Sequence, residues 1–202
     1  MLFQEMSYMA YKDAKDVAGF LYCSSSLEER TFALYRTLSD KVQNPLVKSL
    51  LLYIAYDSLK HSLIMRGIAE SVSQSKPKPG DCEKKLKQVW EKVVAFHEEI
   101  SKLQKLSDAN LPSLAQDLAG LENSLSEEYF VLVQLKTLEY MTKEVEQLYK
   151  VDLASLKNIF ELIIKDEENH REILTSIEEL FTREESVKAT TPKVRYQHPE
   201  AW

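Results

Sequence analysis

The feature that most constrains this chain is the recurrence of apolar residues at spacings of three and four over long, uninterrupted stretches. In the first stretch, Val17, Leu21, Tyr35, Leu38 and Val42 fall on one face of a single helix. The chain has only 4 Gly and 6 Pro among its 202 residues, so it offers few of the turn signals that a sheet protein needs. The pattern therefore predicts an all-α protein.

A polar segment at residues 71–81 divides the chain, because its prolines and glycine favour a linker over a helix. Before it, the apolar spacing predicts helices over residues 12–43 and 45–72. Between them, Asn44 is a suitable N-cap and Pro45 suits the first helical position. A connection this short requires the two helices to be antiparallel neighbours.

After the linker, the spacing predicts an inserted helix over residues 83–106 and a very long third helix over residues 111–150. A last helix is predicted from about residue 153 to 183, followed by a loosely attached tail at residues 184–202. We therefore expect residues 1–183 to form a single domain. Its expected architecture is an antiparallel four-helix bundle with one additional helix inserted between the two helical hairpins.

Charge and hydropathy exclude several classes of function. The net charge is -6 and the charged residues are mixed along the chain, which argues against a nucleic-acid surface. No apolar run approaches the roughly 20 residues of a membrane span. The first sixteen residues lack a basic region followed by an apolar stretch, so we expect no signal peptide and a cytoplasmic location.

The two cysteines, Cys23 and Cys82, are far apart in the sequence and form no Cys-x-x-Cys pair. This excludes a zinc ribbon or a rubredoxin-type iron site. The sequence leaves open whether the two cysteines form a disulfide.

A weak internal repeat places polar residues inside the apolar stripes of two helices. Ile54–Ile68 and Ile163–Ile177 share five identities in register, among them one aspartate and one histidine. Two hairpins that each carry this pattern indicate a pseudo-symmetric bundle whose polar groups face inward.

The residue types in these stripes suit metal binding. Glu167 lies three residues before His170, so both side chains share one helix face and can hold one ion. Glu28 interrupts the first apolar stripe, and a carboxylate there is costly to bury unless it is paired or metal-bound. Glu28 lies 15 residues before residue 43 and His61 lies 16 after residue 45, so an antiparallel pair brings them to the same height.

The long third helix is expected to supply a further acid. Glu128 shares a heptad position with apolar residues, and counting from the predicted helix ends brings it within roughly 6 Å of the height of His170. The same count places Glu139 roughly 10 Å from the height of His170, in the opposite direction along the helix. Glu127 and Glu122 are the less favoured alternatives.

Three segments together resemble the rubrerythrin branch of the ferritin-like superfamily: residues 28–35, IAYDSLKH at 54–61 and FELIIKDEENHREIL at 160–174. The resemblance implies two bound irons, with manganese or zinc as substitutes, that react with peroxide or dioxygen. It implies an external electron donor, since no rubredoxin domain is present, and it leaves a homodimer open. Glu28, His61, Glu167 and His170 match metal ligands of the family pattern. The full set of predicted ligands is Glu28, Asp57, His61, Glu128, Glu167 and His170, with Glu28 and Glu128 as the expected bridging carboxylates.

One position departs from the family pattern. Three residues before His61 the family has a glutamate, and this chain has Ser58. Asp57 is the nearest substitute, although it is shorter and lies about 40° away around the helix. Two hypotheses result: a di-metal oxidoreductase, favoured by Glu167 and His170, and a bundle with a degenerate metal site and a structural or interaction role, favoured by Ser58. Iron storage is a third interpretation that nothing in the sequence supports specifically.

Overall fold

The computed structural model describes residues 14–73, 77, 78, 80–134 and 153–190, with the side chains of its fifth helix described as far as Ser126. Regular structure in these ranges is helical, apart from one isolated bridge between two loop residues, so the all-α prediction is confirmed. The helices are α1 (Ala14–Lys41), α2 (Pro45–Val72), α3 (Asp81–Lys85), α4 (Lys87–Lys102), α5 (Leu111–Gln134) and α6 (Leu153–Thr190), with a short 3-10 turn at Asp108–Asn110.

The turn between α1 and α2 forms as the sequence predicts. The side-chain oxygen of Asn44 accepts hydrogen bonds from the backbone N–H groups of Leu46 and Val47, at 3.0 and 3.2 Å. Pro45 occupies the first helical position, where a missing N–H leaves no intrahelical bond unmade. The cap therefore begins α2 at the expected residue and turns the chain back along α1.

The two long hairpins pack through their apolar stripes. Helix α1 lies along α2, α5 lies along α6, and the hairpins meet where α2 contacts α6. Buried side chains such as Leu21, Leu34, Ile54, Leu118 and Leu174 fill the interior. Each large apolar side chain removed from water contributes about 1.5–3 kcal/mol, so the stripes supply the main stabilisation of the bundle.

The inserted segment forms two helices instead of the single helix predicted over residues 83–106. The backbone of Leu86 leaves the helical region, with φ -110° and ψ 29°, and separates α3 from α4. Helix α4 packs on α1 and buries Val89, Val93 and Ile100. It ends at Lys102, and the chain beyond it is fixed by a bond from Leu106 N–H to the carbonyl of Lys41, at 3.1 Å.

Cys23 of α1 and Cys82 of α3 form a disulfide, which settles the pairing that the sequence left open. Their Cα atoms are 4.8 Å apart. The bond ties the inserted segment to the first hairpin. Disulfides persist mainly in oxidising environments, so this one gives no support to the expected cytoplasmic location.

The second hairpin differs from the prediction at its ends. The predicted third helix is described as α5 as far as Gln134, and the rest of its range lies outside the described residues. Helix α6 continues to Thr190, past the predicted end near residue 183. The first part of the predicted tail is therefore helical. No helix among the described residues combines the length and the apolar character that crossing a membrane requires.

Candidate metal centre

Four helices bring acidic and imidazole side chains into the interior of the bundle. These residues are at most 1% exposed, and they are Glu28 of α1, His61 of α2, Glu122 of α5, and Glu167 and His170 of α6. Ionisable groups buried this deeply cost several kcal/mol each unless they are paired or bind a cation. Their collection at one level of the bundle therefore marks this level as the candidate functional site.

The first cluster contains Glu28, His61 and Glu167. His61 Nδ1 lies 3.0 Å from Glu167 Oε1 and 3.8 Å from Glu28 Oε1. One ligand atom from each residue lies within 4.8 Å of the other two. Three helices thus aim nitrogen and oxygen ligands at one small volume that could hold a metal ion.

The second cluster contains Glu122, Glu167 and His170 and has the same form. His170 Nδ1 lies 3.2 Å from Glu122 Oε2 and 3.5 Å from Glu167 Oε2. Glu167 is common to both clusters, with one carboxylate oxygen towards each histidine. The centroids of the two imidazole rings are 6.0 Å apart. The clusters are therefore adjacent, and they share the carboxylate of Glu167.

Several atoms of the clusters lack a hydrogen-bond partner within the described part of the chain. They are His61 Nδ1 and both carboxylate oxygens of Glu167. His61 Nδ1 and Glu167 Oε1 nevertheless lie 3.0 Å apart. Buried nitrogen and oxygen atoms that lie within 4.8 Å of one another and lack hydrogen bonds to the described residues are what a bound cation would satisfy, so these residues fit a metal ion.

The far side of each imidazole is held by an aspartate of the other hairpin. His61 Nε2 contacts Asp166 Oδ2 at 3.1 Å, and His170 Nε2 contacts Asp57 Oδ2 at 3.3 Å. Each aspartate lies four residues before the histidine of its own helix but pairs with the histidine of the opposite one. A carboxylate on the second ring nitrogen fixes the ring orientation and leaves Nδ1 for a metal.

Lys60 joins the two aspartates at the edge of the site. Its ammonium lies 2.6 Å from Asp57 Oδ1 and 2.9 Å from Asp166 Oδ2. Burial by itself would raise the pKa of each aspartate, but bonds to Lys60 and to a histidine outweigh it and lower the pKa. Both aspartates therefore stay ionised and able to accept from the histidines.

Tyr35 of α1 supports the acid of α5. Its hydroxyl donates a hydrogen bond to Glu122 Oε1, which leaves Oε2 facing His170. Burial, and next the charge of Glu122, raise the pKa of Tyr35 well above its usual value. The phenol therefore remains a donor and holds the carboxylate in place.

The glutamates also shift the pKa of the two histidines. Burial lowers the pKa of His61 and His170, but the neighbouring glutamates outweigh it and raise the values to about 10 and about 11. Burial, and next the charge of Glu167, raise the pKa of Glu122 to about 8. The glutamates thus favour a positive charge at this level of the bundle, and a metal ion that binds there would release protons.

The structure brings together four of the six predicted ligands: Glu28, His61, Glu167 and His170. Asp57 lies in neither cluster and faces the rear nitrogen of His170. The reason is geometric, since a residue four before His61 points past the ring towards α6. The residue shared by the clusters is Glu167, whereas we expected Glu28 to be shared.

The α5 acid in the site is Glu122, one of the less favoured alternatives. The side chain of Glu128 lies outside the described residues, so the structure does not place it. Sequence reasoning also missed Asp166 as a partner of His61. The repeat contains the signal for it, because the aspartate is one of the five identities.

Comparisons with known protein families, with curated proteins and with solved structures find no match for this chain. The resemblance to the rubrerythrin branch therefore stays a prediction. The function of the site has to be inferred from its residue types, distances and burial.

Proposed function

We propose that this protein is a ferritin-like di-metal protein that binds two ions side by side and, with iron, reacts with peroxide or dioxygen. The observation that carries the proposal is the pair of buried clusters joined by Glu167. A bundle with no cation to bind gains nothing from burying three glutamates and two histidines in contact.

Each ion has a distinct ligand set in this proposal. The first would be held by Glu28 and His61, the second by Glu122 and His170, and Glu167 would contribute to both. Oxygen and imidazole ligands suit iron, manganese and zinc. Three protein ligands leave each ion an open coordination position, which a reacting metal requires.

Two ferrous ions would supply the two electrons that reduce hydrogen peroxide to two waters, with two protons taken up. The chain's own residues fix the spacing of the ligands and exclude bulk water. Apart from the proposed iron pair and the disulfide, the described residues include no redox-active cofactor site. An external donor would therefore have to return two electrons to the iron pair after each turnover.

Metal binding is tested first, by titrating zinc into metal-free protein in a calorimeter. Two ions per chain are expected, and no binding would overturn the proposal. Reaction is tested separately by stopped-flow absorbance of the ferrous protein mixed with peroxide. A rate no greater than that of free ferrous ion at full occupancy would remove the oxidoreductase function and leave metal binding.

The second candidate is a bundle with a degenerate site that serves a structural or interaction role. It is favoured by Ser58, which stands where the family pattern has a glutamate, and by the position of Asp57 outside both clusters. Metal content separates the candidates, because a degenerate site would bind fewer than two ions even at saturating zinc.

A further inference from the structure

Ser58 occupies the position that corresponds to the bridging glutamate of the other hairpin. In the internal repeat, Ser58 aligns with Glu167, and each lies three residues before the histidine of its helix. Ser58 is 1% exposed, so it faces the interior on the same side of α2 as His61. The pseudo-symmetry of the site therefore places a serine hydroxyl where a second bridging carboxylate would lie.

The hydroxyl of Ser58 has no hydrogen-bond partner within the described part of the chain. Several other helical serines donate to a backbone carbonyl one turn earlier, as Ser26 does to Tyr22 and Ser49 does to Pro45. The hydroxyl of Ser24, which is equally buried, has no partner among the described residues either. A buried serine usually bonds in this way, because an unsatisfied hydroxyl costs about 1–3 kcal/mol. Ser58 thus keeps a donor available inside the site.

Size indicates what this donor would meet. Two divalent ions would carry four positive charges, and Glu28, Glu122 and Glu167 would supply three negative ones. The ionised Asp57 and Asp166, with Lys60, add one net negative charge behind the histidines, so the missing side chain at position 58, and not a missing charge, favours a further ligand. A serine side chain has about three heavy atoms fewer than a glutamate. A carboxylate group also has three heavy atoms, and its two oxygens can bind two adjacent ions.

We infer that a small exogenous carboxylate, such as formate or bicarbonate, binds across the two metal ions beside Ser58 and accepts its hydrogen bond. The anion takes the place of the missing glutamate, so the site is completed by a ligand from solution. This inference rests on the proposed function, since it requires the metal pair.

The test measures zinc affinity in carbonate-free chloride buffer, with and without sodium formate at equal ionic strength. Formate is expected to raise the affinity of the wild-type protein for zinc by about tenfold. Ser58→Glu should bind zinc with the higher affinity in chloride alone, and formate should add nothing. The visible spectrum of the cobalt-loaded proteins should change with formate in the wild type alone.

Ser58→Ala and Ser62→Ala form a matched pair on the same helix, and they test the inference should Ser58→Glu fail to fold. Ser62 is equally buried, but its hydroxyl is 3.1 Å from that of Ser25. Ser58→Ala should reduce the formate effect several-fold, whereas Ser62→Ala should leave it unchanged.

Three results would overturn the inference. If two zinc ions bind with an affinity that does not depend on formate, the exogenous carboxylate is ruled out and the proposed function is unaffected. A Ser58→Glu protein as dependent on formate as the wild type would show that formate binds elsewhere. Failure of the wild-type protein to bind zinc in either buffer would remove both the inference and the proposed function.

Discussion

The two hairpins present their histidines in the same way but contribute different numbers of carboxylates. The first hairpin, α1 with α2, places Glu28 beside His61. The second, α5 with α6, places both Glu122 and Glu167 beside His170. The repeat therefore preserves the orientation of the histidines more faithfully than the number of ligands.

The comparison also shows that neither half of the site is complete alone. Each histidine is oriented by the aspartate of the opposite hairpin, and Glu167 of the second hairpin serves the first cluster as well. A substitution on one hairpin should therefore act on the ion held mainly by the other. Single and paired substitutions in the two hairpins test whether the hairpins share their ligands and aspartates in this way.

The largest effect is expected from Glu167→Ala, because this residue belongs to both clusters. Loss of both ions is expected, with affinity falling by more than the roughly 10–100-fold that outer residues contribute. Metal content after dialysis against a fixed zinc concentration measures it. Glu168→Ala, at the exposed neighbouring position, is the control and should retain two ions. An intact second ion in Glu167→Ala would show that Glu167 is not shared.

The histidines should each control one ion. His170→Ala should lose the ion of the second cluster, which we expect to be the tighter, and His61→Ala should lose the weaker one. The same dialysis should find one zinc per chain in either variant, with higher affinity in His61→Ala. His97→Ala, in α4, should bind like the wild type. Equal residual affinities would remove the distinction between the hairpins.

The aspartates should act across the hairpins. With His61→Ala as the background, only the second ion remains, and adding Asp57→Asn should weaken it by roughly 10–100-fold. Adding Asp166→Asn to the same background should have little effect, because its histidine is gone. Zinc titration of the two double variants is the measurement. The opposite order would mean that each aspartate serves its own helix.

The smallest effect is expected from Lys60→Met. Its side chain is 47% exposed, so solvent screens its attraction to Asp57 and Asp166. Zinc affinity should fall a few-fold at low salt and less at high salt. Lys165→Met, next to Asp166 on the exposed side of α6, is the control. A loss as large as that from an aspartate substitution would give Lys60 a larger role than its exposure allows.

The sequence predicted the helices well wherever the apolar spacing was unbroken and a cap was readable. Asn44 and Pro45 marked the start of α2 correctly, because capping is a local property. The break at Leu86 carried no such mark, since leucine is a good helix former. Packing on α1 and the nearby disulfide are tertiary constraints that a helical spacing does not contain.

The sequence pointed to residues that the structure brings together where the reasoning depended on one helix or on a short turn. Glu167 with His170 follows from a spacing of three, and Glu28 with His61 follows from counting across the turn between α1 and α2. The choice of Glu128 over Glu122 depended on the predicted helix end near residue 149, which lies outside the described residues. The role of Asp57 depended on the position of α6, which no count along α2 supplies.

The disulfide has a topological consequence for the first hairpin. It joins cysteines 59 positions apart and closes a covalent ring that contains Glu28, Ser58 and His61, while the ligands of α5 and α6 lie on the open chain beyond it. An oxidised chain that has lost its helices still keeps the first set of ligands within one loop. Closure of a loop this long lowers the conformational entropy of the unfolded chain, which raises the free energy of unfolding by about 4 kcal/mol. The first hairpin, which supplies fewer carboxylates to the site, is thus the one whose ligands stay within a closed ring in the unfolded, oxidised chain.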